Sequence, residues 1–343
     1  MSRTGMRGYV TDAWETWNGF WFKPTSPSTL SAIRVLAGLI LLYTHAVWTL
    51  DLEAFFGPRG WLPLALLHEA HQAVGGPDGP ARLVWSYFDY IQSPTVLWIV
   101  HLGALMVFFL LTIGLFSRTM ALLAYVIAVS YANRITPGAQ FGLDKINCML
   151  ALYLMLGPCG ARYSLDRLWR LRRGASQEVP PSIGANFAVR LIQVHLCIIY
   201  LFSGMAKLQG DMWWSGDAVW YAVANLEYQS LDLTWLANHP SLVYLATHVV
   251  LFWELSYAAL VCPRLTRPWV LMVAVLVHGG TAVALGMAPL GLAMLVANLA
   301  FVSPRTVRRW ADPIAGRISL LFAGGGAGQG GAGPANQPAA AAS

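Results

Sequence analysis

Eight long apolar runs dominate the chain, at roughly 29–50, 93–116, 119–136, 145–160, 187–208, 241–262, 268–286 and 288–303. A hydrocarbon core takes about 20 residues of helix to cross. Inside it, the backbone has to satisfy its own hydrogen bonds, which helices do within a single segment. The sequence therefore predicts an all-α, polytopic transmembrane helix bundle of about eight spans. The third, fourth and eighth runs are short, and the break at Gly286-Met287-Ala288-Pro289 is tight. The expected range is accordingly seven to nine.

Charge agrees with this reading. Of the 343 residues, 11% are charged and 57% hydrophobic, where a soluble domain carries about 25% charged residues. This excludes a typical soluble enzyme, a disordered protein and a nucleic-acid binder. The net charge of +6 comes from basic residues placed between the runs, a pattern of membrane orientation rather than phosphate tracking. The 15 Trp and 13 Tyr suit interfacial belts. Cys148, Cys159, Cys197 and Cys262 lie in or beside apolar runs without metal-ligand or disulfide spacing. The first long run starts near Thr29 and lacks a small-residue cleavage site, so no cleavable signal peptide is expected.

Basic residues fall in alternate loops: Arg3, Arg7 and Lys23 before the first run, Arg118 after the second, Arg162 to Arg173 after the fourth, Arg264 and Arg267 after the sixth, and Arg305, Arg308 and Arg309 after the eighth. All lie on one side. The positive-inside rule makes it cytoplasmic, with both termini inside a cell inner (plasma) membrane. Residues 209–240 carry acids but no Lys or Arg. Three regions follow. Residues 1–28 form a cytoplasmic interfacial segment, with Trp14, Trp17 and Trp21 at helical spacing. Residues 29–304 form the membrane domain, whose loop 51–92 contributes a short interfacial helix on the outer face. Residues 305–343 form a basic, then Gly/Ala-rich cytoplasmic tail that is expected to be disordered.

Ionisable groups inside spans are costly and mark functional candidates. They are Arg34, His45, His101, Arg190, His195, Lys207, Glu254 and His278, with Asp144 and Lys145 opening the fourth run. On the fifth run Gln193, Tyr200, Ser203 and Lys207 fall within about 80° on a helical wheel. That polar stripe should face the bundle interior, with Lys207 near the outer surface. Lys207 is either a snorkelling or salt-bridged lysine, paired with Asp144 or Asp211, or a desolvated amine able to act as a base. Glu254 and His278 have similar depths, about 12–15 Å from the basic helix ends. They form a structural pair, or His278 binds a substrate polar group or relays a proton. Arg34 and Arg190 suit headgroup contact or bundle pairing. His45, His101 and His195 read as satisfied structural histidines. No spacing argues for a metal.

The stretch Tyr200-Leu201-Phe202-Ser203-Gly204-Met205-Ala206-Lys207-Leu208, followed by Trp213-Trp214, Gly216 and Ala218, resembles the signature of the HTTM family, the membrane domain shared with vitamin K-dependent gamma-carboxylases. Collinear pieces agree: Arg34 with Gly38, Phe55 to Gly60, Gly114 to Arg118, Tyr163 to Asp166, and His278 with Gly286. The similarity covers about residues 25–305. It implies that Lys207 is the base that deprotonates vitamin K hydroquinone and starts its oxygenation to an epoxide, with His278 in support. Asp144 and Asn147 stand where the family has a histidine. The family reaction is luminal, which matches the outward side assigned to Lys207 from charge. The carboxylases carry a large C-terminal luminal region that this sequence lacks, so carboxylation of protein glutamate is not expected.

The functional expectation is a carboxylase-like (lyase-class) or epoxidase-like membrane enzyme whose partners are membrane lipid, a reduced, vitamin K-like quinone or other hydrophobic small molecule, and an unknown second substrate or protein partner. Lys207 and His278 take catalytic roles. Tyr200, Ser203, Gln193, Asp144, Asn147 and Glu254 bind substrate. Neither metal nor nucleic acid is expected. Two rivals stand: a non-catalytic membrane partner (immunity, signalling or assembly factor) and a small-molecule transporter, although no inverted repeat of hydropathy is visible.

Overall fold

The computed structural model describes residues 6–67, 69, 85–134 and 142–323, with residues 6–7 and 318–323 as backbone only. The described residues are helical, with one isolated antiparallel bridge, Thr25 with Ser182. That bridge places the starts of α2 (Ser28–Trp48) and α8 (Ile183–Lys207) at one end of the bundle, the basal end. At the opposite, distal end the short α3 (Leu52–Phe56) follows α2, and Trp98 Nε1 on α4 (Pro94–Ile113) donates to Glu53 Oε1 at 3.0 Å.

α4 returns to the basal end, where Gly114 turns the chain at φ 74°. A Cβ on Gly114 would lie 1.9 Å from Arg34 Nη1. The glycine therefore permits the turn and makes room for a fully buried guanidinium. Arg34 donates from Nη1 to Leu111 O at 2.9 Å and from Nη2 to Tyr163 O, so of its two expected roles it takes bundle pairing. Asp166, in the first turn of α7 (Leu165–Arg172), accepts from the backbone N–H of Phe116 and of Ser117, both at 2.8 Å, and so caps α5 (Ser117–Arg134). α5 runs distally, and Arg134 Nη2 donates to Gly57 O at 2.6 Å. α6 (Gly142–Leu156) comes back, α8 goes out, α11 (Pro240–Leu260) returns, α12 (Arg267–Ala284) goes out and α13 (Ala288–Asn298) returns. Between α8 and α11 lie α9 (Asp211–Ser215) and α10 (Ala218–Val223).

Five helical segments are long and apolar enough to cross a membrane: 28–56, α4, α8, α11 and α12. With the less apolar α5 and the shorter α6 and α13, which run antiparallel to their neighbours in the chain, the arrangement is consistent with eight passes. The break expected at 286–289 is a turn, with Gly286 at φ 66° and Pro289 in the first turn of α13. Large apolar side chains stay exposed along the outer faces, among them Leu102, Met106, Phe202, Leu245, Phe252 and Leu276. A soluble monomer does not expose patches of this extent; lipid covers them.

The peripheral segments are also helical. α1 (Met6–Phe22) leaves Trp14 and Trp17 exposed and packs Trp21 on Phe187 of α8. Within the loop 51–92, residues 52–56 and 64–67 are helical and Tyr87–Tyr90 form a 3-10 turn; residues 68 and 70–84 lie outside the described residues. The basic segment expected to open a disordered tail at 305 instead forms α14 (Pro304–Ala323). Its residues fall into an apolar and a basic face, and Asp312 ties it to the bundle by accepting from Arg162 Nη2 at 2.9 Å and Tyr163 OH at 2.7 Å. The Gly/Ala-rich remainder lies outside the described residues.

Candidate functional site

The polar stripe of α8 meets α11 where Gly204 removes a side chain from the contact. A Cβ there would come within 3.0 Å of Leu255 Cδ2 and 3.2 Å of its backbone nitrogen. That approach brings Glu254 to the last turn of α8. Lys207 Nζ donates to Glu254 Oε2 at 2.7 Å and to Ser203 Oγ at 2.7 Å, and stands 5.2 Å from the centre of the Trp213 ring. The side chains of Lys207 and Glu254 are 21% and 9% exposed.

One to two turns deeper along α8, Tyr200 is buried and sits in a second cluster. Its hydroxyl is 2.6 Å from His278 Nε2 of α12 and 2.8 Å from Asn298 Nδ2 of α13. Asn298 Oδ1 accepts from Tyr257 OH of α11 at 2.6 Å. Trp253 of α11 packs on the rings of Tyr200 and His278 and donates Nε1 to Val270 O at 3.1 Å. α12 and α13 are held together at the level of the imidazole by Gly291, whose Cβ would lie 2.4 Å from His278 O. The two clusters adjoin: Lys207 is within electrostatic range of His278, and Glu254 of Tyr200.

These contacts correct the pairings expected above. The partner of Lys207 is Glu254, not Asp144 or Asp211, and the partner of His278 is Tyr200, not Glu254. Lys207 ends its helix beside Glu254, with about 21 Å of α11 distal to that residue at 1.5 Å per residue. α8 starts further to the basal side than α11 ends, so it stops level with the middle of its neighbour. The distal half of α11 packs instead against the 209–240 region: Val219 N donates to Thr247 Oγ1 at 3.1 Å.

Gln193 lies at another level of α8, and Asp144 and Asn147 are on another helix. Gln193 is about 21 Å of helix from Lys207; it accepts from Arg190 Nη1 at 2.8 Å and donates to Ala300 O at 2.7 Å. Asp144 and Asn147 open α6, which packs against α8 and α13. Asn147 is buried, and its Oδ1 has no partner among the described residues. His101 Nδ1 bonds Tyr131 OH at 2.6 Å, His195 Nδ1 bonds Tyr153 OH at 2.8 Å, and His45 Nδ1 bonds Leu41 O at 2.7 Å, which gives each ring a partner within the bundle. Among the described residues no group of three His, Cys, Asp or Glu could hold a metal ion. Sequence reasoning missed Asn298, Tyr257 and Trp253. Asn298 carried a signal, since a neutral amide inside an apolar run also needs a partner in lipid.

Four helices thus converge on an amine, a carboxylate, an imidazole and two phenols, walled by Trp253 and Trp213. No curated protein and no solved structure matches the chain. Residues 78–305, more than half of its length and including this whole constellation, match the HTTM domain, and the chain belongs to that family of multi-pass membrane proteins.

Proposed function

We propose that the protein uses a reduced, vitamin K-like quinone, with Lys207 as the base that takes the proton from a quinol hydroxyl. The observation that carries this reading is the Lys207–Glu254 pair set one to two turns from the Tyr200–His278 pair. The donor set suits such a ligand. A flat aromatic ring with a hydroxyl at either side asks for aromatic walls and a few polar groups. Trp253 and Trp213 supply walls, Lys207 a proton acceptor, and His278 a ring nitrogen, Nδ1, with no partner among the described residues. A bound quinol would supply a hydroxyl whose deprotonated form reacts with oxygen toward the epoxide.

The residues divide the remaining work. Glu254 holds the Lys207 proton at Oε2, 2.7 Å from Nζ. Transfer of that proton to the carboxylate leaves a neutral amine whose lone pair faces the new carboxyl O–H; when a quinol hydroxyl takes the place of that O–H, the amine accepts the quinol proton and Glu254 keeps the first one. Losing both charges is favoured when water is excluded, because a separated pair is expensive in a dry medium. Ser203 orients Nζ through its hydroxyl at 2.7 Å. Trp213 and the 209–240 region keep water from the amine. Tyr200 and His278 bind and orient the ring. The alternating basic loops support an inner-membrane protein with both termini cytoplasmic and the 209–240 region outside.

A second reading also draws on the ion pair. A lysine and a glutamate bonded at 2.7 Å staple α8 to α11, which is all that a non-catalytic membrane partner requires.

Mass spectrometry of protein purified from its own membrane tests the proposal. A co-purifying quinone near one per chain, displaced by added phylloquinone, is the expected result. Protein that carries no quinone and does not retain phylloquinone would contradict it.

A further inference from the structure

The hydrogen bonds around Asn298 have a direction that can be read off one carbonyl. Asn298 places an amide atom 2.9 Å from Met294 O, which can only accept. That atom is therefore Nδ2, and the other amide atom is the acceptor Oδ1. Tyr257 accordingly donates its proton to Oδ1 at 2.6 Å. The second hydrogen of Nδ2 goes to the hydroxyl oxygen of Tyr200 at 2.8 Å. Tyr200 then has one proton left and one neighbour to receive it, His278 Nε2 at 2.6 Å. A ring nitrogen that accepts carries no hydrogen, so the imidazole proton sits on Nδ1. His278 is 9% exposed, and Nδ1 has no partner among the described residues.

We infer that Asn298, held by Met294 O, is a positioning residue that sets the His278 tautomer through Tyr200, so that Nδ1–H is presented as a hydrogen-bond donor to an oxygen of the bound ligand. The ligand class, a quinone or quinol oxygen, rests on the function proposed above; the tautomer and its control by Asn298 do not. The arrangement has a chemical use. A proton on Nδ1 lets His278 donate to a carbonyl or a phenolate oxygen, and the aligned chain behind Nε2 prevents it from switching to an acceptor. Tyr257 contributes at one remove, by donating to Oδ1 and so helping to hold the amide in that orientation.

The test reads the tautomer directly, by ¹⁵N NMR of the full-length protein in nanodiscs with ¹⁵N-labelled imidazoles, and His278 is assigned by its loss in His278→Gln. The wild type is expected to carry its proton on Nδ1. Asn298→Asp is nearly isosteric but offers no amide hydrogen. Tyr200 must then donate to the carboxylate, its oxygen accepts from the imidazole, and the proton moves to Nε2. Tyr200→Phe, which leaves the Asn298 side in place, is expected to release the ring from the pure Nδ1–H form. Unfolding temperature is measured on each variant, so that Tyr200→Phe decides if Asn298→Asp does not fold. A wild-type proton on Nε2, or folded variants that keep the wild-type tautomer, would overturn the inference.

Phylloquinone is then added. A shift of the Nδ1 signal in the wild type, with roughly tenfold weaker binding in Asn298→Asp for the loss of one buried hydrogen bond, is the expected outcome. Phylloquinone that binds without moving Nδ1 would overturn the presentation of Nδ1–H to the ligand. Failure of phylloquinone to bind any form would sink the proposed function and the ligand class resting on it, while the Nδ1 tautomer and its dependence on Asn298 would still be judged by the spectra.

Discussion

The ammonium of Lys207 and the carboxylate of Glu254 meet at 2.7 Å with 21% and 9% of their side chains exposed. Removing one partner leaves the other charge without compensation in a poorly hydrated place. Breaking a fully buried pair costs about 3–5 kcal/mol. With Lys207 partly exposed, the expected loss for Lys207→Met is smaller, about 2 kcal/mol. The double variant Lys207→Met with Glu254→Gln should recover most of it. Thermal unfolding in detergent checks this, and a double variant as unstable as Lys207→Met alone would show that the pair is not the coupled unit described. The two ionisable residues stood out in the sequence because charge inside an apolar run is rare. Their partnership did not. It depends on how far α8 is offset against α11, and that offset is set by the Gly204–Leu255 contact, a tertiary feature that helical periodicity does not report. Asn298 and Tyr257 went unnoticed for a different reason: they are neutral, and neutral polar residues are common enough in apolar runs to pass without comment.

Two elements carry separate consequences. Gly291 lets α13 lie against α12, since a Cβ there would sit 2.4 Å from His278 O and 2.8 Å from Ala282 Cβ. Neither atom is the tip of a flexible side chain. Gly291→Ala should therefore force the helices apart, lower stability by about 1–3 kcal/mol as overpacking does, and disturb His278. Unfolding measurements and the imidazole NMR signal check it; a variant as stable as the wild type with an unmoved signal would refute the close packing. At the basal end, α14 is docked through Tyr163 and Asp312. Burial, together with the hydrogen bond to Asp312, raises the Tyr163 phenol to about 12. The neutral phenol is thus favoured in the folded protein. Its contribution to docking is complete below the ordinary tyrosine range near 10 and is lost as pH rises through about 12. Ultraviolet titration, with Tyr163→Phe subtracted, should show this late phenol, and Asp312→Asn should bring it earlier; a Tyr163 that titrates like a free tyrosine would contradict the contact. α14 escaped the sequence reading because its arginines and the Gly/Ala stretch beyond them were averaged into one polar tail.

For the whole molecule, the helix boundaries were legible to within a few residues, because apolar run length is what a bilayer demands of a chain. The alternation of basic loops adds an orientation. Cys262 is exposed at the basal end, and Glu227 is exposed in the 209–240 region. In spheroplasts a membrane-impermeant maleimide should label Glu227→Cys from outside and reach Cys262 only in inverted vesicles. The opposite pattern would turn the molecule over and place the 209–240 region toward the cytoplasm.

In the proposed reaction one amine, paired with a carboxylate and set near a hydrogen-bonded imidazole, removes a proton from a quinol. Formation of phylloquinone epoxide from phylloquinol and oxygen by the purified full-length protein, with and without Lys207→Ala, tests it most directly. Turnover by the wild type is expected, with a fall of about 10²–10⁴-fold in the variant, the contribution typical of a positioned general base. Equal rates of epoxide formation in the two proteins would contradict it.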